Sequence, residues 1–318
     1  PRKVESYAAI VNDHSGKRQL EAIGLELVHG AKNGRRAADL IADFQTKSGK
    51  ILLVDGRAKS HTKTAAEAVS EAYDLTDAAS RGEIVSVPTG FADLDRLLGD
   101  GFQSPDLVIV AGRPGDGKTA LLLSMAFNMA RAKKRVAFFT LEMLNRQVAM
   151  RLISMESGID FNSQKSGKLQ DEEWPLYTNA VEVISSLPIV FNDLSSISIS
   201  QIRQALRAMG IVDIAMVDYV QLASADGRYE NRNLEVGAIS RGLKAIAKEF
   251  DIPVVAAAQL SRAVEQRASG EAQLSDLRES GSLEQDSDDV IFVRRDDEKN
   301  VTHISLAKHR NGPPGKID

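Results

Sequence analysis

The stretch from Val108 to Leu123 constrains the fold of this chain more than any other. An apolar, strand-like run leads into a glycine-rich turn, and the turn opens onto helical sequence rich in Ala and Leu. The turn reads Gly112, Arg113, Pro114, Gly115, Asp116, Gly117, Lys118, Thr119 and Ala120. Its glycines let backbone N–H groups turn toward anionic oxygens, and the following helix points its positive end at the same place. The order of strand, turn and helix therefore predicts a phosphate-binding loop.

Two residues at the end of this loop predict its ligand. Lys118 can reach the β- and γ-phosphates of a nucleotide, and the Thr119 hydroxyl suits a Mg²⁺ ion that bridges them. We therefore expect ATP and Mg²⁺ to bind along the nine residues from Gly112 to Ala120. The alternative is a glycine-rich turn that happens to precede a helix, and the strand before the turn argues against it. Asp116 is unusual, because it places an acid inside a loop that binds anions.

Composition narrows the remaining classes of function. The chain has 318 residues, of which 43% are apolar and 26% charged, and it has no apolar run of about 18–20 residues and no signal peptide. We expect a soluble, cytoplasmic protein with no membrane partner. There is no cysteine, and the five histidines form no ligand pair at helical spacing, so Mg²⁺ is the only metal expected. The net charge of -4 requires any nucleic-acid site to be local.

Three regions follow one another along the chain. Residues 1–46 contain apolar positions near helical spacing and predict two helices in a hairpin. Residues 47–83 predict an extended connector and then a helix that starts at a Thr64-x-x-Glu67 capping box. That helix carries a weak apolar stripe, which fits docking on a neighbour or a solvated linker equally well. The stripe is Ala65, Val69, Ala72 and Tyr73. Pro1 in place of an initiator Met indicates a processed or truncated piece.

Residues 84–318 alternate short apolar runs with helical segments. The predicted strands are Val108–Ala111, Val136–Leu141, Ile214–Asp218, Ile252–Gln259, Val290–Arg294 and Val301–Ala307. Strands separated by helix-length sequence predict an α/β fold with a mostly parallel central sheet covered by helices. Ligands of such sheets bind at the carboxyl ends of the strands.

Three polar residues end these strands and are candidates for the same site as the loop. Asp218 can hold Mg²⁺, Glu142 is placed to polarise an attacking water, and the Gln259 amide can sense a γ-phosphate. Each of them taken singly could merely cap the next helix. Their coincidence with a complete phosphate loop favours a catalytic site.

Later motifs make the resemblance specific. They are Val87-Pro88-Thr89-Gly90-Phe91, Thr140-Leu141-Glu142-Met143, Val217-Asp218-Tyr219-Val220-Gln221-Leu222, Ile239-Ser240-Arg241, Ala258-Gln259-Leu260-Ser261-Arg262, Leu274-Ser275-Asp276-Leu277-Arg278-Glu279-Ser280-Gly281 and Lys308-His309-Arg310-Asn311-Gly312-Pro313. Together with the loop, they resemble the replicative DNA helicases of the DnaB family, which carry a RecA-like ATPase domain. The resemblance runs from about Ile84 to the end of the chain.

The resemblance implies roles for several residues. It implies that Glu142 is the catalytic base and Gln259 the γ-phosphate sensor, with Lys118 in the phosphate cradle. It implies a DNA-binding loop at Arg278, Glu279 and Gly281, which holds a single strand in a central channel. Lys308 and Arg310 resemble the pair that one subunit projects into the ATP site of its neighbour.

The resemblance also implies an assembly. The first helices correspond to the end of an N-terminal collar domain of which most is missing, and the Thr64 helix is expected to pack on an adjacent subunit. We expect a homo-oligomer, a hexameric ring, that moves 5′ to 3′ on single-stranded DNA in a bacterial cell or a phage-infected host. A primase and a helicase loader are expected partners.

Two other functions compete with a ring helicase. One is a RecA-like recombinase or ATP-switched DNA-binding assembly that displaces no strand, and the motifs around Arg278 and Arg310 argue against it. The other is a scaffold that no longer hydrolyses ATP. The presence of Lys118, Glu142 and Asp218 argues against that function.

Overall fold

The computed structural model of the chain describes residues 2–37, 39–41, 43, 44, 47, 63–82, 86–227, 229–267, 271–296 and 298–317. The chain divides into two compact units, Pro1–Glu83 and Ile84–Asp318. The predicted connector lies outside the described residues, apart from its two end positions, and the described one of these at position 47 is helical.

The first unit is helical. Helix α1 spans Arg2–Lys32, and all described positions from 37 to 47 are helical as well. Leu40 packs on α1 so closely that a Cβ on Gly30 would lie 2.6 Å from its Cδ2 atom. Lys47 pairs with Glu26, further back along α1. Contacts that spread in opposite directions along the two segments confirm the predicted helical hairpin.

Helix α2 spans Ala65–Ser80 and begins at the predicted capping box. The Glu67 N–H donates to the Thr64 hydroxyl at 3.3 Å, and the Glu67 carboxylate accepts the Thr64 N–H at 2.7 Å. Gly82, with φ of 74°, follows the last turn. No residue of α2 is buried, and Val69 and Tyr73 of the apolar stripe are 67% and 70% exposed.

The second unit alternates strands and helices. Its strands are β1 (Leu107–Gly112), β2 (Val136–Thr140), β3 (Ile189–Asn192), β4 (Ile214–Asp218), β5 (Val254–Gln259), β6 (Asp289–Asp296), β7 (Val301–His309) and β8 (Gly315–Ile317). Its helices are α3 (Ala92–Leu97), α4 (Lys118–Arg131), α5 (Asn145–Ser157), α6 (Phe161–Ser166), α7 (Glu173–Ser185), α8 (Ile199–Met209), α9 (Arg232–Phe250) and α10 (Gly281–Asp286). Short 3-10 helices span Val220–Leu222, Arg262–Gln266 and Leu274–Ser280.

One eight-stranded sheet orders these strands β3-β2-β4-β5-β1-β6-β7-β8. The pairs from β3 to β6 are parallel, and β7 and β8 are antiparallel. Side chains of β1 alternate between two apolar cores: Leu107 and Ile109 pack with α8 and α9, and Val108 packs with α4 and α5. The mostly parallel α/β fold predicted from the sequence is confirmed, with all six predicted strands present and β3 and β8 in addition.

The helices of the described residues were also compared with the length and hydropathy that a bilayer requires. None of them combines enough length with enough apolar character to cross a membrane.

Candidate active site

The glycine-rich turn lies between the end of β1 and the start of α4. Gly115 and Gly117 both have a φ of 91°, in the left-handed region that side chains disfavour. A Cβ at either position would meet open space. Backbone conformation rather than crowding therefore requires glycine here, and it shapes the turn so that Lys118 becomes the first residue of α4.

The Lys118 ammonium is held across this turn. Its Nζ donates to the Gly112 carbonyl at 2.8 Å and to the Arg113 carbonyl at 2.9 Å. Burial lowers the pKa of Lys118, and the negative charges of Asp116 and Asp218 oppose that change. An ammonium has three donors, so two of them fix its position while its charge stays available to an anion.

The sheet brings the other candidates to the same edge. Gly112 pairs with Gln259 and Thr140 with Asp218, so that the carboxyl ends of four neighbouring strands lie side by side. A cavity of about 460 Å³ lies there. Its lining consists of Pro114, Gly115, Gly117, Lys118, Thr119, Ala120, Glu142, Arg151, Asp218, Tyr219 and Gln259. The catalytic and metal-binding candidates from the loop and from β2, β4 and β5 thus converge on one space.

Asp218 and Thr119 provide the oxygen atoms that suit Mg²⁺. Asp218 is only 2% exposed, and this burial raises the pKa of its carboxyl group. The Thr119 hydroxyl and the Lys118 charge lower that pKa, while the Glu142 charge raises it. A buried carboxylate beside a hydroxyl is a hard-oxygen site, and a bound divalent cation would stabilise the ionised form. The residues present therefore fit Mg²⁺ with a nucleotide.

Glu142 follows β2 in a tight bend. The Thr140 hydroxyl donates to the Met143 carbonyl at 2.9 Å and accepts the Met143 N–H at 3.2 Å. The Leu141 N–H donates to the Asp218 carbonyl at 2.7 Å, which ties the bend to β4. Glu142 is exposed at the cavity. A carboxylate in this position can accept a proton from a water molecule in the cavity.

Gln259 is held by a residue to which the sequence analysis gave no role. Gln221 accepts the Gln259 N–H through its Oε1 and donates its Nε2 to the Gln259 carbonyl, both at 3.2 Å. Arg232 in turn donates to the Gln221 carbonyl at 2.6 Å. The amide of Gln221 thus reads both backbone groups of Gln259. Its place right after Asp218 is the signal that could have suggested such a role.

Arg151 and Tyr219 are the other cavity residues that sequence reasoning missed. Arg151 projects from α5, with its guanidinium 5.8 Å from the centre of the Phe161 ring. Tyr219 follows Asp218 directly, which is a signal for proximity. Arg151 had none, because an arginine on an amphipathic helix has the same local sequence whether it faces solvent or a ligand.

Three loop positions expected to contact nucleotide are not among the residues that line the cavity. They are Gly112, Arg113 and Asp116. The Arg113 guanidinium instead donates to the Leu260 carbonyl at 2.7 Å and pairs with Glu265 at 2.7 Å. The Asp116 carboxylate accepts the Arg113 N–H at 2.6 Å. These side chains brace the loop from its far side.

Lys308 and Arg310 lie at the opposite edge of the sheet from the phosphate loop. Lys308 pairs with Val290 near the start of β6, and Asp289 of β6 pairs with Val108 near the start of β1. The phosphate loop follows the other end of β1, which at about 3.3 Å per residue is roughly 15–20 Å away. Neither side chain is within contact of the loop of its own subunit.

The two cations are held in place at that edge. Lys308 Nζ donates to the carbonyls of Glu284 and Ser287 at 2.7 and 2.5 Å. Arg310 donates to the Asp288 carboxylate at 3.0 Å, and its side chain is 65% exposed. Arg310 thus has an anchored, outward-facing guanidinium.

The predicted DNA-binding loop is described only in its backbone. Arg278 and Glu279 lie in the 3-10 helix Leu274–Ser280, and their side chains are outside the part that the structure describes. Gly281 begins α10.

Fold and site together define a P-loop nucleotide hydrolase with a RecA-like parallel sheet. Residues 86–318 match the family model of the DnaB-like helicase C terminal domain. The chain belongs to this family of replicative helicases, and it is an ATP-hydrolysing DNA helicase, as its motifs predict.

Individual proteins show the same likeness. The replicative DNA helicase DnaB of Geobacillus stearothermophilus is 40% identical over 99% of this chain and 72% of the relative. The replicative DNA helicase DnaC of Bacillus subtilis is 37% identical over the same shares. Among solved structures, a DnaB-like replicative helicase studied with primase is 32% identical, with a TM-score of 0.81 over 97% of this chain and 74% of that one. A second solved structure, of an isolated ATPase domain, is 35% identical, with a TM-score of 0.76 over 80% of this chain and 94% of that one.

Proposed function

We propose that the cavity at the carboxyl edge of the sheet binds ATP with Mg²⁺ and hydrolyses it. The observation that carries the proposal is the convergence of Lys118, Thr119, Asp218, Glu142 and Gln259 on one cavity. Lys118 and the N–H groups of the turn hold the phosphates, and Thr119 and Asp218 hold the metal ion. The bound ion supplies charge neutralisation for the β- and γ-phosphates.

A second cavity of about 450 Å³ fits the base of the nucleotide. It borders Gly117 and Ala120, which the first cavity borders as well, so that the start of α4 lies between the two spaces. Apolar side chains line much of the second cavity, among them Phe91, Leu121 and Ile317. A flat, largely apolar adenine suits such a lining, while the phosphates suit the polar one. This arrangement supports a nucleotide rather than free phosphate as the ligand.

Hydrolysis in this site divides between residues of the same chain. Glu142 accepts the proton of the attacking water, and the bend fixed by Thr140 holds it at the cavity. Gln259 faces the terminal phosphate, with its backbone held on both sides by Gln221. Lys118 stabilises charge on the phosphate oxygens.

The cation that completes the site comes from a neighbouring subunit. Lys308 and Arg310 cannot serve the loop of their own chain, and the exposed guanidinium of Arg310 is available to another copy. We propose that subunits form a hexameric ring in which Arg310 reaches the neighbour's γ-phosphate. The uncovered apolar stripe of α2 supports docking on an adjacent copy.

The ring acts on DNA through the segment that follows β5. Arg278, Glu279 and Gly281 hold the backbone of a single strand without reading its sequence, and the strand moves 5′ to 3′ through the channel. Primase and a loader are proposed partners, and the relative studied with primase supports the first of them. Bacterial relatives support a place in the cytoplasm of a bacterial cell or a phage-infected host.

Two substitutions test the division between binding and hydrolysis. Lys118→Ala should abolish nucleotide binding or turnover, because it removes the cation of the cradle. Glu142→Gln should retain ATP binding and lose turnover by roughly 10²–10⁴-fold, because it removes only the general base. Nucleotide affinity and steady-state ATPase are measured for both. Tight ATP binding by the Lys118 variant together with normal turnover by the Glu142 variant would refute the assignment.

A further inference from the structure

Asp116 is the one loop residue whose presence the proposed reaction does not require. It lies between Gly115 and Gly117, and its side chain folds back across the turn. Its Oδ2 accepts the Arg113 N–H at 2.6 Å, and its own N–H donates to the Arg113 carbonyl at 3.2 Å. Both bonds join the same two residues, so Asp116 closes the turn through backbone and side chain together.

The carboxylate has a fixed place behind the loop. A Cβ on Gly112 would lie 3.3 Å from Asp116 Oδ2 and 2.6 Å from the Val293 carbonyl. The end of β1, the side chain of Asp116 and the backbone of β6 are therefore in close contact. The residues before and after Asp116 line the phosphate cavity and Asp116 does not.

A neutral acceptor would satisfy the Arg113 N–H equally well, so the charge has an effect of its own. ATP and ADP bring several negative charges to the front of a turn that carries a carboxylate at its back. That distance is within about 10 Å, the screening length at 0.1 M salt, so the charges repel. Lys118, beside the same carboxylate, provides the opposite charge.

We propose that Asp116 is a positioning residue of the phosphate loop that also sets nucleotide affinity. Its acceptor oxygen holds the turn in the shape that binds phosphates, and its charge weakens binding of nucleoside di- and triphosphates. The weaker binding shortens the time for which ADP stays after hydrolysis. This inference rests on the proposed binding of ATP at the same loop.

Two variants separate the oxygen from the charge. Asp116→Asn keeps an acceptor for the Arg113 N–H and removes the charge, whereas Asp116→Ala removes both. Affinities for ADP and ATP, with Mg²⁺, and the ADP dissociation rate are measured in the whole chain at 0.05 and 1 M NaCl. Asp171→Asn is the control, because it makes the same charge change at an exposed residue outside both cavities.

The Asn variant should bind both nucleotides about three- to tenfold more tightly at low salt and release ADP more slowly by the same factor. At 1 M salt the difference should fall below about twofold, because a screening length of about 3 Å removes the repulsion. The Ala variant should bind more weakly than the Asn variant at both salt concentrations. A merely structural role for Asp116 gives no such salt dependence.

Equal affinities of wild type and the Asn variant at low salt, or a difference that persists unchanged at 1 M salt, would overturn the charge effect. Equal affinities of the Asn and Ala variants would overturn the positioning role. Lys118→Ala is measured alongside. If that variant still binds nucleotide normally, the proposed binding site itself is wrong, and if it does not, a failure of the Asp116 variants concerns this inference alone.

Discussion

Asp106 is an acid that its surroundings keep from ionising. It lies just before β1 and is 8% exposed, near the carboxylates of Asp288 and Asp289, with Lys244 Nζ 3.9 Å from its Oδ1. Burial, followed by the charges of Asp288 and Asp289, raises its pKa from 3.8 to about 6. The carboxyl group is therefore more easily ionised in the unfolded chain than in the folded one.

The sign and size of the effect on stability follow from this difference. A raised pKa in the folded state contributes stability that is fully present below about pH 4 and is lost as the pH rises through about 6. The difference between 3.8 and about 6 corresponds to about 3 kcal/mol. Asp106→Asn cannot ionise, so the variant should be more stable than wild type by up to about 3 kcal/mol at pH 7.5. The two proteins should be equally stable near pH 4.

Urea unfolding between pH 4 and 8 measures this difference. Trp174, the single tryptophan of the chain, lies in α7 and reports on the second unit by its fluorescence. With an m-value of roughly 3 kcal/mol/M, the midpoint should rise by about 1 M at pH 7.5. Asp171→Asn, at an exposed position, should leave the midpoint unchanged. A variant that is less stable than wild type at pH 7.5, or a difference that does not vary with pH, would refute the reasoning.

Two further predictions concern DNA binding and the subunit interface. Arg278→Ala should weaken binding to single-stranded homopolymers and lower the slope of log affinity against log salt by about 1, and an unchanged slope would place the DNA-binding loop elsewhere. Arg310→Ala should bind ATP nearly normally and turn it over roughly 10³-fold more slowly. Mixing it with Lys118→Ala should restore part of the ATPase activity, because some interfaces then combine an intact loop with an intact Arg310. Exchange of subunits without recovery would contradict catalysis in trans.

The buried strands could be predicted because their sequence is dense in Val, Ile and Ala on both faces. β3 escaped prediction, since Ile189–Asn192 is a four-residue edge strand with Val190 exposed. β8 has only three residues, Gly315–Ile317, and its pairing depends on the long strand β7. Short strands at an edge owe their conformation to a partner rather than to their own sequence.

The catalytic candidates could be predicted because parallel strands end at one edge. Glu142, Asp218 and Gln259 follow the carboxyl ends of neighbouring strands, and topology alone brings them together. Arg151 and Gln221 could not be placed in the same way. Arg151 depends on the direction in which α5 leaves the sheet, and Gln221 on the 3-10 turn after β4, and neither direction is set by local sequence.

The separation of the phosphate loop from Lys308 and Arg310 limits how copies of this chain can associate. Each subunit offers half of a reaction centre at one edge of its sheet and the complementary half at the other. A twofold dimer presents the same patch on both partners and cannot join these unlike halves. Head-to-tail contacts can, and they leave an unused half at each end of any open row. Closing the row into a ring removes both ends, so that every copy both receives an arginine and donates one.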